Sequence, residues 1–169
     1  MSAVWRIGWQ SGRAGLPGLI AIEHWADWAA LDAQIAGGNV THRPDSIFAH
    51  HVGGVAPNIP DGQLTELQWV RVNNGAGKLA ADLLTGWHLP ILLRAGAQQV
   101  ALFDAVHGDD LPRFAILATW SDAVAALKAT PALEADPGLQ AKLAALRAEG
   151  HRPAILETKR ILGFAGHAA

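Results

Sequence analysis

Apolar residues in this chain follow two spacings, and together they predict strands and helices in a regular order. From Leu64 to Asn73, successive side chains can be divided between two faces with a period of two residues, which predicts a strand. Lys78 to Ala95 carries apolar residues three and four positions apart, which predicts a helix. We expect a kink or a break at Pro90, because proline has no amide hydrogen to donate.

The rest of the second part of the chain completes a β-α-β-β-α-β order. Two strands, Gln99 to Ala105 and Arg113 to Trp120, are predicted to form a hairpin. A helical region from Ser121 to Glu149 should be interrupted at Pro131 and at Pro137, and Pro153 to Phe164 is the last strand. This is the order of a ferredoxin-like sandwich, an antiparallel sheet with helices on one face.

The first part of the chain has a shorter β-β-α-β order. It is predicted from strands at Ala3 to Gln10 and Leu19 to Trp25, a helix from Asp27 to about Ile35, and a strand at Ser46 to Val55. Two prolines and a glycine in Ala56 to Gly62 indicate a boundary. We therefore predict an incomplete ferredoxin-like repeat over 1–58 and a complete one over 63–165, an α+β fold.

An internal repeat is indicated by the spacing of a few residues. Trp25 and Asp27 reappear as Trp120 and Asp122, each shifted by 95 positions, and a Leu-Pro pair shifts with them. In both copies an apolar strand ends in tryptophan and an aspartate suited to helix capping follows. Duplication is the hypothesis, and a chance likeness of two hairpin-plus-helix segments is the alternative.

The amino-acid composition limits the kinds of binding partner and the cellular location that we expect. The chain has 169 residues, half of them hydrophobic, a formal net charge of -2 and no cysteine. The charge offers no general attraction for nucleic acid or an anionic membrane, and the lack of cysteine removes thiolate chemistry and disulfides. No signal-peptide pattern or stretch long enough to span a bilayer is seen. We expect a cytoplasmic protein that binds neither nucleic acid nor membrane.

The second part resembles a known family. The segments VRVNNGAGKLAADLL, LPILLRAGA, LATW and LEADPGLQAKL, in this order between Thr65 and Phe164, are similar to NIPSNAP-like members of the dimeric α+β barrel superfamily. The family's tryptophan after its Asp-Pro-acid segment is Leu139 here. The resemblance implies a fold and a tendency to pair sheets, but no particular reaction.

Pairing is also expected on physical grounds. If helices cover one face of a sheet, the other face needs a cover, and a sister repeat or a second chain can supply it. We expect sheets packed as an α+β barrel and a homodimer.

Histidines are the first candidates for chemistry. Adjacent strand residues point to opposite faces, so His50 and His51 should not bind one ion. His88, beside Trp87 in an apolar helix, is the best candidate for a ligand-binding or haem-ligating residue. We expect no metal site and no cofactor, with haem bound by His88 as an alternative, and a surface or structural role for most histidines.

Charged strand residues and tryptophans are the other candidates. A cluster of Arg71 with Asp104 or Glu157 inside a barrel would form a candidate site, although solvated edges of the sheet are the simpler explanation of such charges. Seven tryptophans, Trp69 among them, could line a cavity for a flat ligand or simply pack the core. The predicted ligand-binding residues are therefore Trp69, Arg71, His88, Asp104 and Glu157, and no catalytic residue is assigned.

Three functions remain open from the sequence. The first is binding of a small hydrophobic or aromatic molecule, with cofactor-independent oxygenase or isomerase activity as the enzymatic version, by analogy of fold. The second is a non-catalytic assembly protein whose barrel is filled by side chains. The third is haem binding or degradation.

Overall fold

The structure is a computed structural model, and it describes residues 4–11, 17–37, 47–56, 58–60, 62–107 and 113–165. The predicted turns after Ser11 and after His107, and the loop before Ile47, lie largely outside these residues. The chain divides into two compact units. The first contains the described residues up to His51 together with 103–107, and the second contains the remainder.

The first unit has three antiparallel strands and one helix. They are β1 (Val4–Ser11), β2 (Pro17–Trp25), α1 (Trp28–Ala36) and β3 (Ile47–Gly54), whose last three residues belong to the second unit. The strand order is β2-β1-β3, and both pairings are antiparallel. The Asp27 carboxylate accepts a hydrogen bond of 2.9 Å from the amide of Ala30, which confirms that this aspartate starts the helix.

The second unit is a sheet with helices. Its elements are β4 (Leu64–Val72), α2 (Gly77–Leu83), a π-helical turn (Leu84–His88), α3 (Leu89–Arg94), β5 (Ala97–His107, ending in the first unit), β6 (Arg113–Trp120), α4 (Ala123–Ala135), α5 (Pro137–Ala148) and β7 (Ile155–Phe164). The strand order is β5-β6-β4-β7, and β4 is antiparallel to both of its neighbours. This is the predicted ferredoxin-like order.

One face of this sheet forms the core with the helices. Even-numbered strand residues such as Val70, Ile116 and Trp120 pack with Leu84 and Leu92 from the helical segment. These five side chains are fully buried. The core therefore lies on the side of β4 that also carries Glu66 and Gln68.

Pro90 changes the helix without ending it. The helical segment runs from Gly77 to Arg94, close to the predicted extent, but residues Leu84–His88 form a π-turn. Proline cannot donate to the carbonyl one turn earlier, and a widened turn is a common way to absorb such a loss. The π-turn ends at His88, two residues before the proline.

The second helical region contains one predicted interruption and lacks the other. Asp136 accepts a 2.8 Å hydrogen bond from the amide of Leu139, and α5 starts at Pro137. The predicted break at Pro131 is wrong, because α4 continues through this residue. Pro131 is exposed, so its ring faces water instead of the core. Asp122 caps α4 as predicted, accepting a 2.8 Å bond from the amide of Ala125.

The α+β class with antiparallel sheets is thus confirmed. The division into repeats at 1–58 and 63–165 and the duplication remain predictions. Among the described residues, every helix is too short or too polar to cross a lipid bilayer.

A pair of glycines gives a test of the packing in the second unit. Gly54 has φ 75° and Gly75 has φ 80°, so alanine is strained at both. A Cβ at Gly54 would lie 2.1 Å from the carbonyl oxygen of Val100, whereas a Cβ at Gly75 meets nothing within 4 Å.

We expect Gly75→Ala to lower the free energy of unfolding by about 1 to 2 kcal/mol and Gly54→Ala to lower it by at least about 2 kcal/mol more. Urea denaturation followed by circular dichroism measures both changes. Equal losses in the two variants would contradict the placement of β3 against β5.

Candidate functional site

His88 is bonded to the sheet beneath it. Its Nε2 lies 2.8 Å from Oε1 of Gln68, in the middle of β4. His88 is the last residue of the π-turn in the helical segment. Such turns are frequent at functional sites, because they displace one side chain from the regular helical spacing.

The hydrogen bonds of Gln68 determine which nitrogen of His88 carries the proton. Nε2 of Gln68 donates to Oε1 of Glu66 over 3.0 Å, so the amide oxygen of Gln68 is left to accept. Nε2 of His88 must then be the donor in that bond. In the neutral imidazole this leaves Nδ1 with its lone pair, as a hydrogen-bond acceptor or a base.

Glu66 is a buried carboxylate with a cation beside it. Only 1% of its surface is exposed, and Nε of Arg160 on β7 bonds to the same Oε1 that accepts from Gln68. Arg160 also donates through Nη2 to the carbonyl oxygen of Ala126 in α4, over 3.0 Å. Oε2 of Glu66 is buried without a hydrogen-bond partner among the described residues. A chain of polar contacts thus runs from α4 through β7 and β4 to His88.

Burial keeps His88 neutral. Removal from water, and secondly the positive charge of Arg160, lower the pKa of His88 from 6.5 to about 4. Both effects disfavour the imidazolium ion. At neutral pH the site therefore presents an uncharged imidazole whose Nδ1 is unprotonated.

The other predicted residues of the second unit lie on the opposite face of the sheet. Trp69 and Arg71 alternate with Gln68 along β4 and so point away from His88. Arg71 forms an ion pair with Glu157 at 3.5 Å, and both side chains are well exposed. The guanidinium of Arg113 lies 5.5 Å from the centre of the Trp69 ring. The structure therefore brings Arg71 and Glu157 together, but at the surface.

Asp104 belongs to the first unit. Burial raises the pKa of its carboxyl, and an electrostatic contribution from nearby His50 opposes this rise. The ring of His50 packs edge-on against Trp28, at 6.0 Å, whereas His51 packs against Phe103 at 5.6 Å. The two histidines thus have different neighbours, as expected for adjacent strand residues.

Glu66 and Gln68 were missed as site residues, although the sequence carried a signal. They share one face of β4 with Leu64, Val70 and Val72, which are all buried. Two polar residues within an otherwise apolar face require partners in the interior. The sequence could not show that Arg160 and His88 supply them.

The strand-to-helix junction at Trp120 lines a separate surface groove of about 550 Å³. Gln63 spans it, donating to the carbonyl oxygen of Trp120 over 2.6 Å and to Oε1 of Gln98 over 3.2 Å. Asp122 and Ser121 also line it, but the carboxylate already accepts from Ala125 and Ser121. These hydrogen bonds lower the pKa of Asp122. The junction has the packing and capping role expected of it.

Metal binding finds no ready set of ligands in the described ranges. No group of three or more histidine, aspartate or glutamate side chains is arranged there to hold an ion. Ligation of haem through Nε2 of His88 would require breaking the bond to Gln68. The haem alternative therefore remains a prediction that depends on the other nitrogen or on a rearrangement.

Solved structures with a similar backbone exist. An anthrone oxidase-like protein matches at 12% sequence identity with a TM-score of 0.68, over 98% of this chain and 77% of that chain. Two proteins described as putative monooxygenases also match. The one from Fusobacterium nucleatum subsp. nucleatum has 11% identity, a TM-score of 0.53 and coverage of 99% and 81%. The one from Lactobacillus acidophilus has 12% identity, a TM-score of 0.54 and coverage of 96% and 80%.

Similarity at this level of identity shows a shared α+β fold. No protein-family model matches the sequence, and no curated protein matches it significantly.

The buried ion pair gives a stability prediction. We expect Arg160→Ala to lower the free energy of unfolding by about 3 to 5 kcal/mol, because it leaves the Glu66 carboxylate buried without its cation. Lys78→Ala, which removes an exposed pair with Asp82, should cost no more than about 0.5 kcal/mol. Urea denaturation measures both, and similar losses would show that the buried pair contributes little.

The pKa of His88 gives a second prediction. The unfolded chain takes up a proton near pH 6.5, but the folded chain does so only near pH 4. Stability should therefore fall as the pH is lowered through this window, by on the order of 3 kcal/mol from this residue. His88→Gln should remove that part of the pH dependence, whereas the exposed His151→Gln should retain it. Urea denaturation between pH 7 and pH 4 tests this, and parallel curves for all three proteins would refute it.

Proposed function

We propose that the second unit binds a small aromatic or hydrophobic molecule next to His88 and oxidises it with molecular oxygen, without a cofactor. The observation that carries this proposal is the neutral imidazole of His88, whose Nε2 is engaged by Gln68 and whose Nδ1 remains an acceptor. The lowered pKa keeps this acceptor unprotonated at neutral pH. Gln68 and Glu66 act as positioning residues, because they fix the tautomer and the ring.

The proposed reaction requires a base in the protein and molecular oxygen. A substrate with an acidic CH₂ group between aromatic rings loses a proton to His88, and the resulting anion gives electrons to oxygen. Oxygen joins the carbon, and loss of water leaves a ketone, so that R₂CH₂ and O₂ become R₂CO and H₂O. The lowered pKa keeps the imidazole unprotonated at neutral pH but makes it a weaker base than a free imidazole, so the reaction requires a substrate whose CH₂ group is unusually acidic.

Several features support this assignment. The helical segment that carries His88 is rich in buried apolar residues, including Leu84, Leu89 and Leu92, which give the imidazole an environment that disfavours its charged form. The Trp87 ring packs against Gly138 and so fixes the same segment from outside. The fold is shared with an anthrone oxidase-like protein. The sequence resemblance to NIPSNAP-like proteins supports membership of this wider superfamily.

The rival function is non-catalytic. Gln68 and Glu66 are almost completely buried among close-packed apolar neighbours, which is also what a structural polar network looks like. In that case His88 would only connect helix and sheet, and the protein would serve assembly. Turnover and ligand binding separate the two functions.

We expect the protein to accelerate the oxidation of anthrone to anthraquinone above the uncatalysed rate, measured with an oxygen electrode and by absorbance. His88→Ala should lower kcat/KM by about 10² to 10⁴, the usual contribution of a positioned base. His151→Ala is the matched control, since His151 lies on the surface, and it should leave the rate unchanged.

The proposal is wrong if His88→Ala oxidises anthrone as fast as the unaltered protein. Absence of both turnover and anthrone binding would favour the assembly function. Added hemin tests the haem alternative, since a shifted Soret band that weakens in His88→Ala would support it.

A further inference from the structure

The outer edge of β7 carries a charge pattern that the proposed function does not use. β7 is the last strand in the order β5-β6-β4-β7, so only its β4 side is paired among the described residues. It is ten residues long, and most of its side chains are exposed. A long edge strand presents unpaired backbone donors and acceptors, which invite another strand.

The partner that fits this edge is a second copy of the same strand. Two identical strands related by a two-fold axis through the sheet pair antiparallel about one central residue. Centring the pair on Thr158 places Glu157 of each copy opposite Lys159 of the other. Directly opposite side chains lie on one face and attract when their charges differ.

Other registers lack this complementarity. An axis at Glu157, Lys159 or Arg160 brings like charges together, and an axis at Leu156, Ile161 or Leu162 pairs no opposite charges. Glu157 and Lys159 are exposed to 42% and 69%, so both can reach a second strand. Within one chain they lie 3.7 Å apart in an exposed contact, which adds little stability and is readily exchanged.

Apolar side chains on the helix side of β7 extend the surface. Leu162 is 41% exposed there, and Val124 and Leu127 on α4 are 59% and 68% exposed. Arg160 bonds to the backbone of α4 at Ala126, so these three side chains belong to neighbouring elements. A second copy at the β7 edge would remove part of this apolar area from water.

We propose that the protein forms a homodimer through antiparallel pairing of β7 with β7 of a second copy, about a two-fold axis at Thr158. The interface combines backbone hydrogen bonds, two Glu157–Lys159 pairs and the apolar margin of α4. It is independent of His88 and of oxidation.

Charge reversal tests the register. Sedimentation equilibrium should show a dimer for the unaltered chain. Lys159→Glu should raise the dimer Kd by roughly tenfold or more, because two attractive pairs become repulsive. The double variant Glu157→Lys with Lys159→Glu should restore most of the affinity. A monomeric unaltered protein, an unchanged Kd in Lys159→Glu, or a double variant no tighter than Lys159→Glu would each overturn the proposal.

A disulfide test uses the natural lack of cysteine. Thr158→Cys places the two thiols opposite each other on the axis, at a separation that a disulfide can span. Oxidation should give a covalent dimer on a non-reducing gel. Leu156→Cys lies off the axis and should remain monomeric on the same gel. Equal cross-linking of both variants, or none in Thr158→Cys, would contradict the register, and circular dichroism checks that each variant is folded.

Discussion

The buried carboxylate of Glu66 is the constraint on which the second unit depends. A charge in the interior is tolerated only with a cation and hydrogen bonds around it, because burial removes its hydration. Arg160 supplies the cation and Gln68 donates a hydrogen bond. This requirement fixes the pairing of β4 with β7, since Arg160 stands directly opposite Gln68 in the register. A shift by one residue would turn Arg160 to the other face of the sheet.

The same pair connects the helices to the sheet. Arg160 reaches the backbone of α4 at Ala126, and Gln68 reaches His88 at the end of the π-turn. Helices that otherwise pack through apolar contacts thus acquire two directional attachments. Apolar packing tolerates small rotations of a helix, whereas a hydrogen bond specifies one orientation. Glu66 therefore influences the tautomer of His88 without touching it.

The two faces of β4 divide the chemistry of this unit. The helix face holds a neutral histidine, a buried carboxylate and an amide, all with restricted geometry. The opposite face holds an Arg71–Glu157 pair that is exposed, so that water screens its charges, and a tryptophan beneath the buried Arg113. Ligand chemistry is more readily built on the first face, because low dielectric strengthens each polar contact there.

Local structure was largely predictable, since it depends on neighbours in sequence. The period-two pattern of side chains predicted β4. The capping residues Asp122 and Asp136 predicted where α4 and α5 begin. The failure at Pro131 has a local cause as well, because an exposed proline costs one helical hydrogen bond without a clash in the core. The order of elements then favours the ferredoxin-like arrangement, as few topologies satisfy it.

The candidate site was only partly predictable. His88 stood out by its apolar surroundings, but its hydrogen-bond partner Gln68 lies 20 residues earlier. Glu66 and Arg160, which complete the polar cluster, lie on β4 and on the last strand. By itself the sequence determined the α+β class, the caps and a conspicuous histidine. Only the tertiary structure decided which charges are buried together and which face the solvent. The physical reason is that local sequence sets backbone conformation, whereas burial and pKa depend on groups that folding brings into contact.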